Sequence, residues 1–223
     1  MFKDREDAGT QLAKALRHYK DKNVVVLAIP RGGVEVGYYV AKYLNATLSL
    51  LISRKLGYPD NPEAAFGAIA EDGSTYIFGY AKRRMDQQLI NQVIEGQKTE
   101  IDRRVEELRK GQSLPDIKDK TVILVDDGIA TGATLFASIA CCKNKMAKKI
   151  IVAAPVSGRD VIDALEDMVD EVIVLEIPDQ YFAVSQGYEH FYNVPDEEVL
   201  EFMNRWDSEQ KTKDTNQLSK TQS

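Results

Sequence analysis

Residues 122–134 read "VILVDDGIATGAT": four apolar residues, two adjacent carboxylates, then a loop with two glycines and two threonines. A short, continuously apolar run of this kind is a strand buried on both faces, as a parallel sheet requires. In such a sheet ligands gather at the carboxyl ends of the strands, which is where Asp126 and Asp127 stand. "GIATGAT" then offers the free N–H groups of a glycine-bearing turn and of a helix start, an arrangement that attracts anions. Two carboxylates beside an anion trap repel the ligand unless they serve a different part of it. Accepting hydrogen bonds from neutral hydroxyls, or holding a divalent metal through its water, gives them that separate duty. A sugar phosphate has the matching layout, an anion at one end and vicinal hydroxyls a few bonds away. The competing reading, that the pair only caps the next turn, needs one carboxylate and leaves the Gly and Thr spacing unused. The segment is not a Walker A loop, since no lysine precedes a threonine, and it lacks the three-glycine dinucleotide spacing.

Outward from this stretch the same alternation repeats. "VVVLAI" at 24–29 is a second doubly buried strand, broken by "PRGG". The two glycines, Gly32 and Gly33, let backbone N–H groups close on an anion while Arg31 supplies charge. "VEVGYYVAKYLNA" (34–46) reads as a helix with Val36, Tyr39, Val40, Tyr43 and Leu44 on its apolar side, and "TLSLLIS" (47–53) as the next strand. After the strand at 121–126 come a helix at about 133–146, a strand at 149–154, a helix at about 159–168 and a strand at 171–176. This order predicts an α/β fold with a doubly wound parallel sheet.

Three other segments punctuate it. Residues 56–81 carry paired Pro and Gly signals with weak β alternation and read as a mobile loop or hairpin. Residues 84–110 hold Leu89, Ile90, Val93, Ile94, Ile101, Val105 and Leu108 at helical spacing, interrupted only by Gly96. That stripe would suit a homodimer contact. Residues 178–206 are aromatic-rich and end in a short helix, while 208–223 have a single large apolar residue and read as a disordered polar tail. The expected organisation is one domain over 1–207 followed by that tail.

Composition narrows the function. With 223 residues, 43% hydrophobic and 29% charged, the chain suits one globular domain. A net charge of −6 argues against a general nucleic-acid binder, which needs a basic footprint. No apolar run is long enough to span a bilayer, and "MFKDRED" does not resemble a secretory leader, so no membrane partner is expected and the expected location is cytoplasmic. The adjacent Cys141 and Cys142 fit no redox or zinc spacing and read as buried thiols.

"VILVDDGIATGAT" also resembles the signature of the type I phosphoribosyltransferases. Together with "IPRGGVEVG", "RKLGYPDNPEAAFGAIAEDG" and "YFAVSQGYEHFYNVPDEEV", it makes nearly the whole chain up to Trp206 similar to a bacterial phosphoribosyltransferase family of unassigned substrate. The resemblance implies a doubly wound sheet with a mobile catalytic loop and a small hood, and binding of 5-phosphoribosyl-1-pyrophosphate. Asp126 and Asp127 would hold the ribose hydroxyls, and Gly128, Ala130, Thr131, Gly132, Ala133 and Thr134 would line the 5-phosphate loop. Arg31, Gly32 and Gly33 would form the pyrophosphate loop, where the superfamily often has a cis peptide before a residue other than proline. Arg54 and Lys55, at the end of a neighbouring strand, are the other cations placed on pyrophosphate. The implied cofactor is Mg²⁺, bridging pyrophosphate and ribose near Asp126 and Asp127 largely through water.

The activity implied is Mg²⁺-dependent phosphoribosyl transfer to a nitrogenous nucleophile, foremost a nucleobase, with release of pyrophosphate. The alternative is a non-catalytic sensor of phosphoribosyl pyrophosphate or a nucleotide. Glu71, followed by Glu63 and Asp72, are candidate general acids or bases. Tyr181, Phe182 and Tyr188 read either as a hood stacking on a planar base or as core aromatics. Two departures stand out: residues 56–81 contain no Lys or Arg, so the loop lysine of the orotate enzymes has no counterpart, and Ala130 replaces the aspartate that contacts the base in the hypoxanthine-guanine enzymes. The motif is closer to the adenine and uracil enzymes.

Overall fold

In the computed structural model, which describes the backbone of residues 1–221 and the side chains of all of these but 62, 63, 214 and 216–221, five strands form one parallel sheet. They are β1 (Val25–Ala28), β2 (Thr47–Leu50), β6 (Thr121–Val125), β7 (Lys149–Val156) and β8 (Glu171–Glu176), in the spatial order β2-β1-β6-β7-β8. Alternate residues of each central strand face opposite cores. Val26, Ala28, Ile123, Val125, Ile151 and Ala153 point to one side, and Val25, Leu27, Val122, Leu124, Ile150 and Val152 to the other. Both sides are buried, which is why these strands read as unbroken apolar runs.

Helices cover both faces. On the first lie α1 (Arg5–Ala15), α2 (Gly33–Leu44) and the start of α7 (Asp196–Thr221), through Leu12, Val36, Val40, Val199 and Trp206. On the second lie α5 (Ala133–Asn144) and α6 (Arg159–Glu166). The chain leaves β1 toward β2 and leaves β6 toward β7, so the direction of winding reverses between β1 and β6. Their last pair is Ala28 opposite Val125, and Ile29 N–H donates to the Val125 carbonyl at 2.8 Å. The "PRGG" and "DDGIATGAT" loops therefore start side by side at the crevice where open α/β sheets bind ligands.

Residues 56–81 are largely paired as strands. They contribute to a separate antiparallel sheet of β3 (Ser53–Tyr58), β4 (Asn61–Ala70) and β5 (Thr75–Ile77), with Phe66, Ala68 and Ile69 buried. The hairpin reading holds, and the strand expected at 47–53 divides in two: Thr47–Leu50 joins the parallel sheet, and Ser53 opens the antiparallel one. After a short α3 (Gly79–Arg84), α4 (Gln87–Arg109) runs unbroken through Gly96. Ile90, Ile101 and Leu108 of α4 are buried in this chain's own core, with Val93, Ile94 and Val105 partly buried against it. The expected polar tail is helical as far as Thr221, as part of α7. Its early turns are tied down where Lys42 Nζ and Tyr38 Oη donate to Glu209 at 2.8 and 2.7 Å. Among the described residues no helix is long and apolar enough to cross a membrane.

Candidate active site

The chain leaves β6 at Val125, and Asp126 turns it by accepting the Asp127 N–H on its own carboxylate at 2.9 Å. The next residue must be glycine, since a Cβ on Gly128 would lie 2.3 Å from the Val184 side chain. Gly132 adopts φ +73° and starts α5, whose first-turn amides have no intrahelical partner. Across the crevice the Pro30–Arg31 peptide is cis, at the position implied by the family resemblance. A Cβ on Gly32 would stand 1.9 Å from Asp127 Oδ2, and one on Gly33 2.9 Å from the backbone of Asp126. The glycines of the "PRGG" turn are thus required by how closely it packs against the acidic pair.

A cavity of about 250 Å³ opens between the two loops. Arg31, Gly32 and Lys55 line one side, and Asp126, Asp127, Gly128 and Ala130 to Thr134 the other. It shares Arg31, Lys55 and Thr134 with a larger cavity of about 560 Å³, whose wall adds Arg54 from β3 and Arg104 from α4. On the opposite side, Ala130 also borders a third cavity of about 480 Å³ lined by Gly158, Arg159, Asp160, Asp179 and Tyr181. The carboxylates therefore lie between a cationic compartment and a mixed polar one.

The two carboxylates are electrostatically unlike. Burial, with the Asp127 charge adding to it, pushes the Asp126 carboxyl well above the ordinary carboxylate range. Asp127 has a counter-charge of its own: Arg5 Nε donates to its Oδ2 at 2.8 Å from a guanidinium only 3% exposed. Arg5 is fixed by donating Nη2 to the Tyr192 carbonyl at 2.9 Å and by lying 4.3 Å over the Phe191 ring. No motif marks Arg5 in the sequence. It reaches the site only because α1 packs on α2 and the chain's C-terminal part folds back over both.

Several expected site residues fall elsewhere. Glu71 does not line the cavity between the loops. It receives both Arg109 terminal nitrogens, Nη1 at 2.8 Å, and accepts the Ile52 N–H at 3.0 Å, so its carboxylate is already committed to a buried ion pair. A role as general acid or base would have to compete with that ion pair. Asp72 is occupied by Ser74, which donates both its N–H and its hydroxyl. The Glu63 side chain lies outside the described residues. Arg54 and Lys55 do reach the cationic compartment, but from inside β3 and not from the end of a parallel strand.

The aromatics separate into three cases. Tyr188 is 5% exposed, rests against Phe2 and Phe191, and donates its hydroxyl to the Asp127 carbonyl at 2.5 Å. It sits behind the acidic pair as a core aromatic, one of the two readings open to it. Phe182 is 81% exposed and borders none of the three cavities. Tyr181 does line the third cavity, with its hydroxyl buried and without a hydrogen-bond partner among the described residues. Burial first, then the charges of Asp127 and Asp126, raise that hydroxyl above the usual phenol range. The two cysteines are fully buried, and burial pushes the Cys142 thiol up to about 12, which leaves it unreactive at neutral pH.

The donor set suits Mg²⁺ held mostly by water and substrate. Among the described residues no cluster of three or more His, Cys, Asp or Glu side chains could cage a metal, while two adjacent carboxylates face the cavity. That ion is typically bound through one or two carboxylates with substrate phosphates completing the shell.

Comparison with known proteins agrees with the geometry. The chain is 42% identical over 207 residues to Rv0571c of Mycobacterium tuberculosis, whose name assigns it to the phosphoribosyl transferases. That alignment covers 92% of this chain and 47% of the relative, so the chain spans about half the length of the curated relatives it matches. The crystal structure of TT1426 from Thermus thermophilus superposes with a TM-score of 0.79 at 36% identity, covering 92% of this chain and 98% of that one. Residues 3–190, which contain both loops and all three cavities' aromatic and charged walls up to Tyr181, match the phosphoribosyl transferase domain family, and the chain belongs to it.

Proposed function

We propose that the crevice binds 5-phosphoribosyl-1-pyrophosphate and transfers its phosphoribosyl group to a nitrogenous nucleophile, foremost a nucleobase. The observation that carries this reading is the cavity in which two glycine-bearing anion loops flank two carboxylates at the winding reversal of the sheet. In this reading the amides and hydroxyls of Thr131 to Thr134 hold the 5-phosphate, where the first turn of α5 favours negative charge. Asp126 and Asp127 accept hydrogen bonds from the ribose hydroxyls, and Arg5 keeps Asp127 in place for that task.

During transfer, the bond from ribose C1 to the pyrophosphate oxygen breaks with its electron pair staying on pyrophosphate. The nucleophile's nitrogen forms the new bond to C1 and gives up a proton to water. In this reading Arg31, Lys55 and the Gly32 amide, which line the cavity, stabilise the charge that develops on the leaving group. Mg²⁺, held by Asp126 and Asp127 through water, would supply further neutralisation of the same oxygens. The compartment beyond Ala130, with the unpartnered Tyr181 hydroxyl, is the space left for the acceptor.

A panel of nucleobases incubated with phosphoribosyl pyrophosphate and Mg²⁺, read by pyrophosphate release, tests the proposal. Release is expected with at least one base and is expected to be lost in Asp127→Asn without loss of fold. The second reading, a sensor, is favoured by one observation: the antiparallel hairpin brings no Lys or Arg over the site from residues 56–81. Ligand-induced protection against unfolding, with no release across the panel, would select the sensor.

A further inference from the structure

The larger cavity carries more charge than the two loops account for. Arg31, Arg54, Lys55 and Arg104 all line it, together with Ser53, Gln97 and Tyr58, and no carboxylate is part of its wall. The nearest acid is Glu100, which accepts from Arg104 Nε at 3.0 Å and from Arg103. Arg31 lies 3.8 Å from Asp196 at the rim. Burial first, and then the proximity of Arg104, lowers the Arg54 pKa; Glu100 opposes this, and Arg103 and Arg31 add to it.

Two further details point to a ligand. Among the described residues, Arg54 and Arg104 each commit only Nε, to Gln97 at 3.1 Å and to Glu100, and their terminal nitrogens remain for a partner. A guanidinium fork of this kind matches a phosphate edge in two parallel hydrogen bonds. Ser53, only 7% exposed, has a buried hydroxyl with no partner among the described residues and lines the same cavity. A buried hydroxyl without a partner costs free energy unless a ligand satisfies it.

We propose that Arg104 of α4 and Ser53 of β3 are binding residues for the pyrophosphate group, completing a cationic wall with Arg31, Arg54 and Lys55. This rests on the phosphoribosyl transfer reading and extends it. The charge missing from residues 56–81 comes from a long helix and from β3, the edge strand of the antiparallel sheet, each packed on the core along one face, which holds Arg54 and Arg104 toward the leaving group. Preorganised charge of this sort acts without reorganisation as the C1–O bond breaks and the electron pair moves onto pyrophosphate. The cavity joins the phosphoribosyl pocket through Arg31, Lys55 and Thr134, which lets one ligand span both.

Calorimetric titration of the intact protein with inorganic pyrophosphate, and separately with ribose 5-phosphate, both with Mg²⁺, tests this. Arg104→Gln is expected to weaken pyrophosphate binding by about tenfold or more and leave ribose 5-phosphate within about twofold, since a charge-assisted bond to one ligand only is lost. Arg103→Gln removes the same charge one residue away, from a side chain outside the cavity wall, and is expected to change pyrophosphate binding far less. Should Arg104→Gln fail to fold, Ser53→Ala, expected to weaken pyrophosphate binding by about threefold or more, carries the test. Equal losses in Arg103→Gln and Arg104→Gln, equal losses for both ligands, or no loss in Ser53→Ala where it alone is read, would overturn the assignment. Binding of ribose 5-phosphate but not pyrophosphate by the parent protein would overturn it while sparing the proposed function. Binding of pyrophosphate alone would sink the proposed function and keep the anion site, and binding of neither would remove both.

Discussion

Gly32 shows how narrowly the site is specified at the scale of one residue. Its backbone angles, φ −60° and ψ −30°, are open to any amino acid, so its glycine is required for space and not for conformation. The space is occupied by the Asp127 carboxylate, 1.9 Å from where a Cβ would go, with Arg5 Nε at 3.0 Å. Gly32→Ala must therefore displace the carboxylate or its guanidinium partner while the helix start stays intact. We expect ribose 5-phosphate affinity to fall by about tenfold, the scale of one lost charge-assisted bond, with an unchanged far-ultraviolet dichroism spectrum. Unchanged affinity in calorimetry would mean that Asp127 does not contact the sugar. Asp126, Asp127 and the two glycines of "PRGG" were legible in the sequence because their chemistry is local: a strand end, a tight turn, a helix start. Arg5 was not, because nothing near it in the chain refers to Asp127, which is 122 positions away.

Among the elements, the antiparallel sheet β3 to β5 goes furthest beyond its reading as a mobile loop or hairpin, and Glu71 explains much of the difference. Its carboxylate and the Arg109 guanidinium are 9% and 5% exposed and bind each other in a fork. Arg109 also donates to the Leu50 carbonyl at 2.9 Å and, through Nε, to the Gln112 carbonyl at 3.0 Å. This joins the end of β4, the end of α4 and the segment between β2 and β3 at one point. Weak alternation and scattered Pro and Gly signals concealed the sheet, because much of its order comes from contacts with α4 and α5 and not from its own pattern. Removing one partner of a buried pair leaves the other charged and unpaired, at a cost of about 3–5 kcal/mol. Glu71→Ala is accordingly expected to lower unfolding free energy by that amount in denaturant titration, while the fraction still folded keeps its affinity for ribose 5-phosphate. A variant of parental stability that releases no pyrophosphate would return Glu71 to the chemistry. The α4 stripe was read correctly as amphipathic, yet its partner could not be named from periodicity, since an apolar face looks the same whether it meets its own core or a second chain.

At the scale of the whole molecule, the parallel sheet and its winding order were legible from the spacing of apolar runs, whereas the convergence of distant segments on the site was not. Phe2 pairs with Tyr188, α1 delivers Arg5, and the start of α7 approaches the "PRGG" turn through Asp196. Glu35, in the first turn of α2, sits where these segments meet. Burial raises its carboxyl to about 7 from an ordinary 4.5; Glu198, Asp4 and Glu6 add to the rise, and Arg5 opposes it without cancelling it. The sign follows from proton counting. Between about 4.5 and about 7 the folded chain holds a proton on Glu35 that the unfolded chain has released, so this group's contribution to stability declines as pH rises through that window and levels off above it. Glutamine keeps the shape of the protonated acid and cannot ionise. The stability of Glu35→Gln relative to the parent is therefore expected to grow from pH 5 to pH 8, measured as the difference in urea unfolding free energy at each pH. A difference that stays constant across the range would show that Glu35 is ionised throughout, and that Arg5 serves it as fully as it serves Asp127.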